Sequence, residues 1–516
     1  MEKLVIGEMA AVNANRTPHK IATVFGGRRK TWEEFDADTN RLANMLVDRG
    51  FKKGDRLAVL SQNCDTYLEW YFGCAKAGVI VVPINYRLAE REMVNLLSHS
   101  EPGGVIVGDD YTATVDRMRD RIPAGIFFGT KTSGKNWLIN YNDAVQTYPD
   151  TPPGVAVEEE DVFCIMYTSG TTGLPKGAMS THRNYMMNAI SVMNAQGIGR
   201  DDINLIVAPL YHAGALFHSL AYILCGGTQI VLKQFDTKAI LKTIQEERAT
   251  SCLMIPTMLN FLLNDPEFGD FDTTSLNKIF YGGGPMPLAL LEKAISLLKN
   301  VRFTQGYGLT ETLEATFLLP DDHLPGGDER RKRRLGSAGT ENPLYEVKIV
   351  DDDGNEVPIG TPGEIWTRGP AVIRGFWKDP EQTKNAITNG WFKTGDIGRF
   401  DEDRYLYILD RKKDMIISGG ENIYTKEIED VLHAHPAVLE AAVIGVPDPA
   451  WGESVKGIVV LREGKRATDT ELIDFCKDNL ARYKRPRSIE FVSELPKNPS
   501  GKILKRQLRE RFKTVN

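Results

Sequence analysis

Residues 167–177, Tyr-Thr-Ser-Gly-Thr-Thr-Gly-Leu-Pro-Lys-Gly, concentrate the groups that suit a polyphosphate. Gly170, Gly173 and Gly177 free the backbone to turn several N–H groups inward, Thr168, Ser169, Thr171 and Thr172 add hydroxyl donors, and Lys176 brings a mobile positive charge. A flexible linker is the ordinary alternative, but linkers rarely join a buried strand to a helix while carrying a single Pro-Lys-Gly. The stretch is not a Walker loop, because G-x-x-x-x-G-K-[ST] fails at Pro175 and neither Ser nor Thr follows the lysine. The loop therefore predicts a nucleotide site of another design.

The remaining motifs narrow the chemistry by exclusion. Gly282-Gly283-Gly284 and Gly306-Tyr307-Gly308 both miss the dinucleotide fingerprint, since Pro287 and Glu311 occupy the place of the third glycine. Neither G-x-S-x-G nor H-E-x-x-H occurs, which leaves hydrolase and zinc-protease readings without an anchor. Cys64, Cys74, Cys164, Cys225, Cys252 and Cys476 lie far apart, with no C-x-x-C pair, and most sit in apolar runs. They predict reduced, buried thiols and a cytoplasmic protein.

Elements able to position such a loop can be read on both sides of it. VFCIMY (162–167), INLIVA (203–208), TQIVL (228–232), TSCLMI (250–255), KIFYG (278–282) and VRFT (301–304) are apolar strand candidates separated by helix-length segments, with a helix starting near Thr181. RLAVL (56–60) and GVIVVPI (78–84) repeat the theme earlier. The alternation predicts an α/β fold of layered parallel sheets with helices on both faces. From about residue 336 to 410 the rhythm becomes a β-rich meander, with YEVKIV, a turn at Asp353-Gly354-Asn355, and GEIWTRG. The charged run 410–414 and the Gly-rich ISGGENIY (416–424) read as an exposed connection. The predicted organisation is a large N-terminal domain over 1–410 and a small, mobile α+β domain over 411–516. The latter reads as helix 426–434, strands 438–446 and 455–461, helix 468–480, strand 488–492 and helix 504–512.

Length and charge agree with an ordinary globular protein. The 516 residues carry 63 Lys plus Arg against 69 Asp plus Glu, so a net charge of -6 gives no reason to expect nucleic acid as partner. The most apolar long window, 214–232, is broken by His218, Ser219, Gly226, Gly227 and Gln229 and predicts a buried helix and strand instead of a membrane span. The first twenty residues lack the pattern of a secretory signal. At most a peripheral membrane contact is expected, and a homodimer is left open. Residues 482–513 hold eleven Lys/Arg and three Asp/Glu, a locally basic surface that suits solvent and an anion equally well.

The loop at 167–177 is followed, in order, by Tyr307-Gly308-Leu309-Thr310-Glu311, Thr394-Gly395-Asp396, Asp410-Arg411-Lys412-Lys413-Asp414 and Pro499-Ser500-Gly501-Lys502. This set, spread over nearly the whole chain, resembles the adenylate-forming superfamily of acyl-CoA synthetases, peptide-synthetase adenylation domains and luciferases, and most of all its fatty-acid and aryl-acid CoA ligase branch. The resemblance implies roles that the residue chemistry supports. Thr168 and Lys176 would act on the phosphates with the rest of their loop. Tyr307 would stack on adenine beside Gly308, Thr310 would donate to the α-phosphate, and Glu311 would bind Mg²⁺. Gly282, Gly283 and Gly284 would let adenine and the acyl group approach closely. Asp396 would accept both ribose hydroxyls and Arg411 would be the second ribose contact, a surface salt bridge being its bland alternative.

By the same resemblance the chain would be an ATP-dependent carboxylic acid:CoA ligase. A carboxylate attacks the α-phosphate of ATP and expels pyrophosphate; then the thiol of coenzyme A attacks the acyl-adenylate and expels AMP. Lys502 would neutralise charge in the first step, Lys413 would be the hinge, and rotation would bring Gly419 and Gly420 to a pantetheine channel. Arg482 and Lys484 would meet the phosphates of coenzyme A. His212, Ala213, Gly214, Gly282, Gly283 and Gly306 would form the acyl pocket, small or flat groups that predict an apolar monocarboxylic acid. Residues 208–214 offer no acidic partner for an α-amine, and no arginine in these motifs stands ready for a second carboxylate. A carrier-protein-loading enzyme and a non-catalytic nucleotide-binding homologue are the alternatives. A carrier module would be expected to continue past Lys502, and a sensor would be expected to have lost Glu311, Asp396 or Lys502.

Overall fold

Short strands with no polar interruption are buried on both faces, and the computed structural model gathers them into two mostly parallel sheets. It describes residues 3–131, 134–168, 176–324, 326, 328–497 and 503–512. Among these, one eight-stranded sheet runs in the order Gly375–Phe376, Lys176–Thr181, Val162–Thr168, Ile80–Pro83, Arg56–Leu60, Gly104–Val107, Ile126–Gly129 and Ile139–Asn140. A nine-stranded sheet runs Thr340–Glu341, Leu313–Leu318, Arg302–Leu309, Lys278–Gly282, Ser251–Met254, Ile203–Ile206, Thr228–Val231, Ile21–Phe25 and Arg28–Thr31. Each sheet is parallel at its centre and gains antiparallel strands where the chain doubles back by hairpins.

Helices Tyr67–Ala77, His182–Gln196 and Ala213–Leu224 pack between the sheets. The central apolar cluster takes Val81 and Phe163 from one sheet, Leu253 and Phe280 from the other, and Trp70, Tyr185 and Leu220 from the helices. Helix His182–Gln196 begins where Thr181 accepts the Asn184 N–H at 3.2 Å and Asn184 Oδ1 accepts the Thr181 N–H at 2.8 Å, a reciprocal cap that contributes about 1 kcal/mol and fixes the helix register. It ends at Gly197, whose φ of +62° a side chain would strain.

An antiparallel sheet follows, built from Glu346–Val350, Gly363–Arg368, Trp391–Phe400, Ile387–Thr388 and Leu406–Arg411. Beyond it stands a separate sheet of Glu421–Ile423, Ile416–Ser418, Gly452–Leu461, Val438–Asp448 and Ser488–Phe491, with its own apolar core around Ile428, Val443, Val459 and Leu472. Helices Thr425–Ala434, Asp469–Asn479 and Lys505–Arg511 belong to it. The architecture is mixed α/β, a large N-terminal and a small C-terminal part.

Two stretches form strands beyond those expected. The helix expected near Thr181 starts at His182, and a strand precedes it: Lys176–Thr181 runs antiparallel to Val162–Thr168, with Thr168 opposite Lys176. KGAMST mixes polar and small residues, and its pairing comes from neighbours on both sides, since Gly375–Phe376 bonds its other edge. ISGGENIY forms a hairpin, Ile416–Ser418 against Glu421–Ile423, closed by Gly419 and Gly420 at φ +60° and +85°. All six cysteines are unbridged, and Cys74, Cys164, Cys252 and Cys476 are buried. Among the described residues no helix is long and apolar enough to cross a membrane.

Candidate active site

Strand ends from three sheets bring the expected nucleotide residues together. Asp396 and Arg411 are cross-strand partners, and Arg411 Nε lies 2.8 Å from Asp396 Oδ1. The other carboxylate oxygen accepts the Tyr307 hydroxyl at 2.8 Å, although Tyr307 stands 89 residues away at the end of another sheet. Asp396 is only 3% exposed, and its own N–H donates to Thr394 Oγ1 at 3.0 Å, which orients the carboxylate from behind. Burial drives the Tyr307 phenol well above its ordinary value, and the neighbouring Asp396 charge adds to this.

Glu311 forms the second focus. It lies with Thr310 in the turn between Arg302–Leu309 and Leu313–Leu318, half-buried, and accepts the Thr168 hydroxyl at 3.2 Å. Burial pushes its carboxyl above the ordinary range, opposed by the Thr168 hydrogen bond and by the charges of Arg411 and Lys176. Lys176 holds its ammonium 5.7 Å from the centre of the Phe376 ring. A partly accessible carboxylate beside a threonine hydroxyl offers hard oxygens of the kind Mg²⁺ takes. No cluster of three His, Cys, Asp or Glu suited to a metal occurs among the described residues.

The glycines at this site are fixed by space. A Cβ on Gly308 would lie 1.5 Å from the Leu313 carbonyl oxygen, where the ladder shifts register between Tyr307 and Gly308. A Cβ on Gly282 would lie 2.6 Å from the Gly306 carbonyl oxygen. Gly283 has φ +75°, and a Cβ on Gly284 would meet no atom within 4 Å.

His212 precedes helix Ala213–Leu224, its ring 4.3 Å from that of Tyr211. Its Nε2 is sealed from solvent without a partner, and burial, helped by the Arg87 charge, pushes its pKa down to about 4. It is therefore neutral at pH 7. Ala213 and Gly214 form the first turn of the helix, with Leu253 Cδ1 3.8 Å from where a Gly214 Cβ would stand.

Of the C-terminal candidates, Lys413 stands within reach of the charges of Arg411 and Asp396. Gly419 and Gly420 are exposed at their hairpin tip, the Gly419 N–H donating to the Trp451 carbonyl at 2.8 Å. Lys484 is paired with Glu427 at 2.7 Å, and Arg482 lies beside it in a short 3₁₀ turn. Lys413 is in the connection after Leu406–Arg411. Nearby, Asp410 Oδ2 accepts both the N–H of Thr425, at 2.5 Å, and its hydroxyl, at 2.7 Å. Ser169, Gly170, Thr171, Thr172, Gly173 and Lys502 lie outside the described residues.

The comparisons with known proteins follow the same division. A family profile described as AMP-binding enzyme matches residues 10–377, and one described as AMP-binding enzyme C-terminal domain matches 427–502. The chain belongs to the AMP-binding enzymes. Within this adenylate-forming superfamily it falls in the acyl-CoA synthetase branch. It is 38% identical over 512 residues to a feruloyl-CoA synthase from Amycolatopsis sp, covering 98% of this chain and 99% of the relative. It is 38% identical over 487 residues to the long-chain-fatty-acid–CoA ligase FadD13 of Mycobacterium tuberculosis, covering 94% and 93%. The ATP-bound crystal structure of MatB from Rhodopseudomonas palustris superposes with a TM-score of 0.88 at 31% identity, covering 98% and 99%.

One group in this AMP-binding enzyme was not singled out by its sequence. Glu314 sits on strand Leu313–Leu318, 8% exposed, and burial pushes its carboxyl up to about 8. Its Oε2 has no hydrogen-bond partner. The signal was a lone acid in the otherwise apolar run LEATFL. An acidic group thus reaches the interior from residue 314, outside the 208–214 segment.

Proposed function

We propose that this AMP-binding enzyme is an ATP-dependent ligase that joins a monocarboxylic acid with an apolar fatty, alicyclic or aryl body to coenzyme A. The observation that carries the reading is the convergence of Tyr307 and Arg411 on the two oxygens of Asp396, beside the Thr168–Glu311 contact. Asp396 accepts the two ribose hydroxyls, with Arg411 as the second ribose contact, and the Tyr307 ring faces adenine next to the open backbone of Gly282, Gly283 and Gly284. Thr310, Lys176 and the hydroxyls and amides of residues 168–173 hold the phosphates.

In the first half-reaction a carboxylate oxygen attacks the α-phosphorus, the bond to the bridging oxygen breaks, and pyrophosphate leaves. Two anions must meet, so positive charge has to be present at the reacting centre. Glu311 would hold Mg²⁺, which supplies charge neutralisation of the phosphates when bound. Lys502 adds its ammonium from the C-terminal part. In the second half-reaction the thiol sulfur of coenzyme A attacks the acyl carbonyl, loses its proton, and AMP leaves. Neutral His212 lines the acyl site without transferring a proton.

The domain boundary belongs to the same proposal: residues 1–410 form the adenylation body and 411–516 a mobile part hinged at Lys413. Rotation would withdraw Lys502 and present Gly419 and Gly420 to the thiol, with Arg482 and Lys484 toward the phosphates of coenzyme A. The unbridged cysteines fit a cytoplasmic setting.

The deciding experiment supplies ATP, Mg²⁺ and a panel of acids, and measures pyrophosphate release and acyl-CoA by mass. Thioester matching pyrophosphate release is expected. Release that never proceeds to thioester overturns the ligase reading. Lys502→Ala should abolish adenylate formation while sparing thioester formation from supplied acyl-adenylate, and equal damage to both steps overturns the hinged mechanism.

A further inference from the structure

Buried carboxyl groups ordinarily find a partner, and Glu314 is an exception that local structure does not explain. Its backbone is fully engaged: its N–H donates to Asn188 Oδ1 at 3.1 Å, and its carbonyl accepts from Asn342 Nδ2 at 2.8 Å.

The carboxyl points into the space above Gly306. A Cβ built on Gly306 would lie 2.3 Å from Glu314 Oε2 and 2.4 Å from Phe280 Cζ, so the absent side chain is what makes room for the carboxyl. Gly306 is one of the residues assigned to the acyl pocket. The same interior carries further unanswered polar atoms. Asn188 Nδ2 has no partner, and neither has Nε2 of Gln196, whose Oε1 lies 3.0 Å from Nε2 of His218. The His218 ring stacks 5.7 Å from Phe280 and lines a small void with Ala208, Ala215 and Leu253. The Glu314 carboxyl thus has an oxygen without a donor, directly over a glycine.

We propose that Glu314 is a specificity-determining residue of the acyl site, selecting acids whose apolar body carries a hydrogen-bond donor, a hydroxyl or an amino group. Oε2 accepts that donor when the acid is bound, and an acid lacking it leaves the oxygen buried and unpaired. A site built this way rejects the analogue without the donor more strongly than an apolar pocket rejects a change of one methylene. The proposal deepens the acid:CoA ligase reading and rests on it.

The test uses matched acids, cinnamate against 4-hydroxycinnamate, cinnamate against 4-aminocinnamate, and octanoate against 8-hydroxyoctanoate, and reads kcat/KM for acyl-CoA formation by the full-length enzyme. The donor-bearing member of at least one pair should be favoured tenfold or more. Glu314→Gln, which keeps an acceptor oxygen, should retain most of a hydroxyl preference, whereas Glu314→Leu should remove or invert it. Preference within twofold in every pair for the wild type overturns the proposal whether or not the variants fold. A preference that survives Glu314→Leu also overturns it. Failure of every acid to give acyl-CoA overturns the ligase reading itself, a result distinct from turnover without discrimination.

Discussion

Arg411 and Asp396 face each other on adjacent antiparallel strands, Nε 2.8 Å from Oδ1, and the pairing leaves the second carboxylate oxygen to the Tyr307 hydroxyl. Both carboxylate oxygens are thus oriented by groups of the protein itself. Asp396→Asn removes the charge from a prepared acceptor, and a hydrogen bond to a charged group is worth about 1.5–3 kcal/mol. The KM for ATP should rise about tenfold to a hundredfold. Kinetics at varied ATP and saturating acid check this.

Glu311→Gln keeps the shape and the contact with Thr168 while deleting a hard anionic oxygen. Pyrophosphate release should fall about 100- to 1000-fold at ordinary Mg²⁺ and recover in part as Mg²⁺ is raised. A Mg²⁺ titration of wild type and variant would show it; parallel curves would remove Glu311 from the metal site.

Gly308→Ala has no accommodating move, because the obstruction is the Leu313 carbonyl, part of the same hairpin. The cost should reach or exceed the upper end of the about 1–3 kcal/mol typical of overpacking, seen as a lower melting temperature, with adenylation lost together with the bulge. Gly284→Ala, which meets nothing within 4 Å, should melt close to wild type.

The pH dependence of stability has two opposing contributions. Burial pushes His182, His212 and His323 down to about 4 and His218 to about 3, from an ordinary 6.5. Below pH 6.5 the unfolded chain takes up protons that the folded one refuses, so stability is lost as pH falls from 6.5 toward 4. Glu314 runs the other way: its folded value of about 8 lies above an ordinary 4.5, so the folded state keeps a proton the unfolded one sheds, and stability is lost as pH rises from 4.5 to 8. Melting curves should show His218→Gln flattening the acid limb, and Glu314→Gln gaining on wild type from pH 5 to pH 8.

Legibility in the sequence followed the range of the forces involved. Central strands such as Ser251–Met254 and Lys278–Gly282 are buried on both faces and read as apolar runs. Lys176–Thr181 was hidden because its strand character comes from partners on two sides, one of them about two hundred residues away at Gly375–Phe376. The residues proposed for the nucleotide stand in readable motifs, whereas the contact between Tyr307 and Asp396 depends on how two sheets meet. Glu314 was silent for the same reason: its meaning comes from Gly306 below and Asn188 above, neither of which marks it in the chain.

The clasp between Asp410 and Thr425 ties together two points fifteen residues apart, on either side of the connection that contains Lys413. The rotation proposed about Lys413 would have to open that clasp first. On that proposal the clasp would set a threshold on reorientation, and the strength of one carboxylate's grip would become a lever on how often the enzyme changes task.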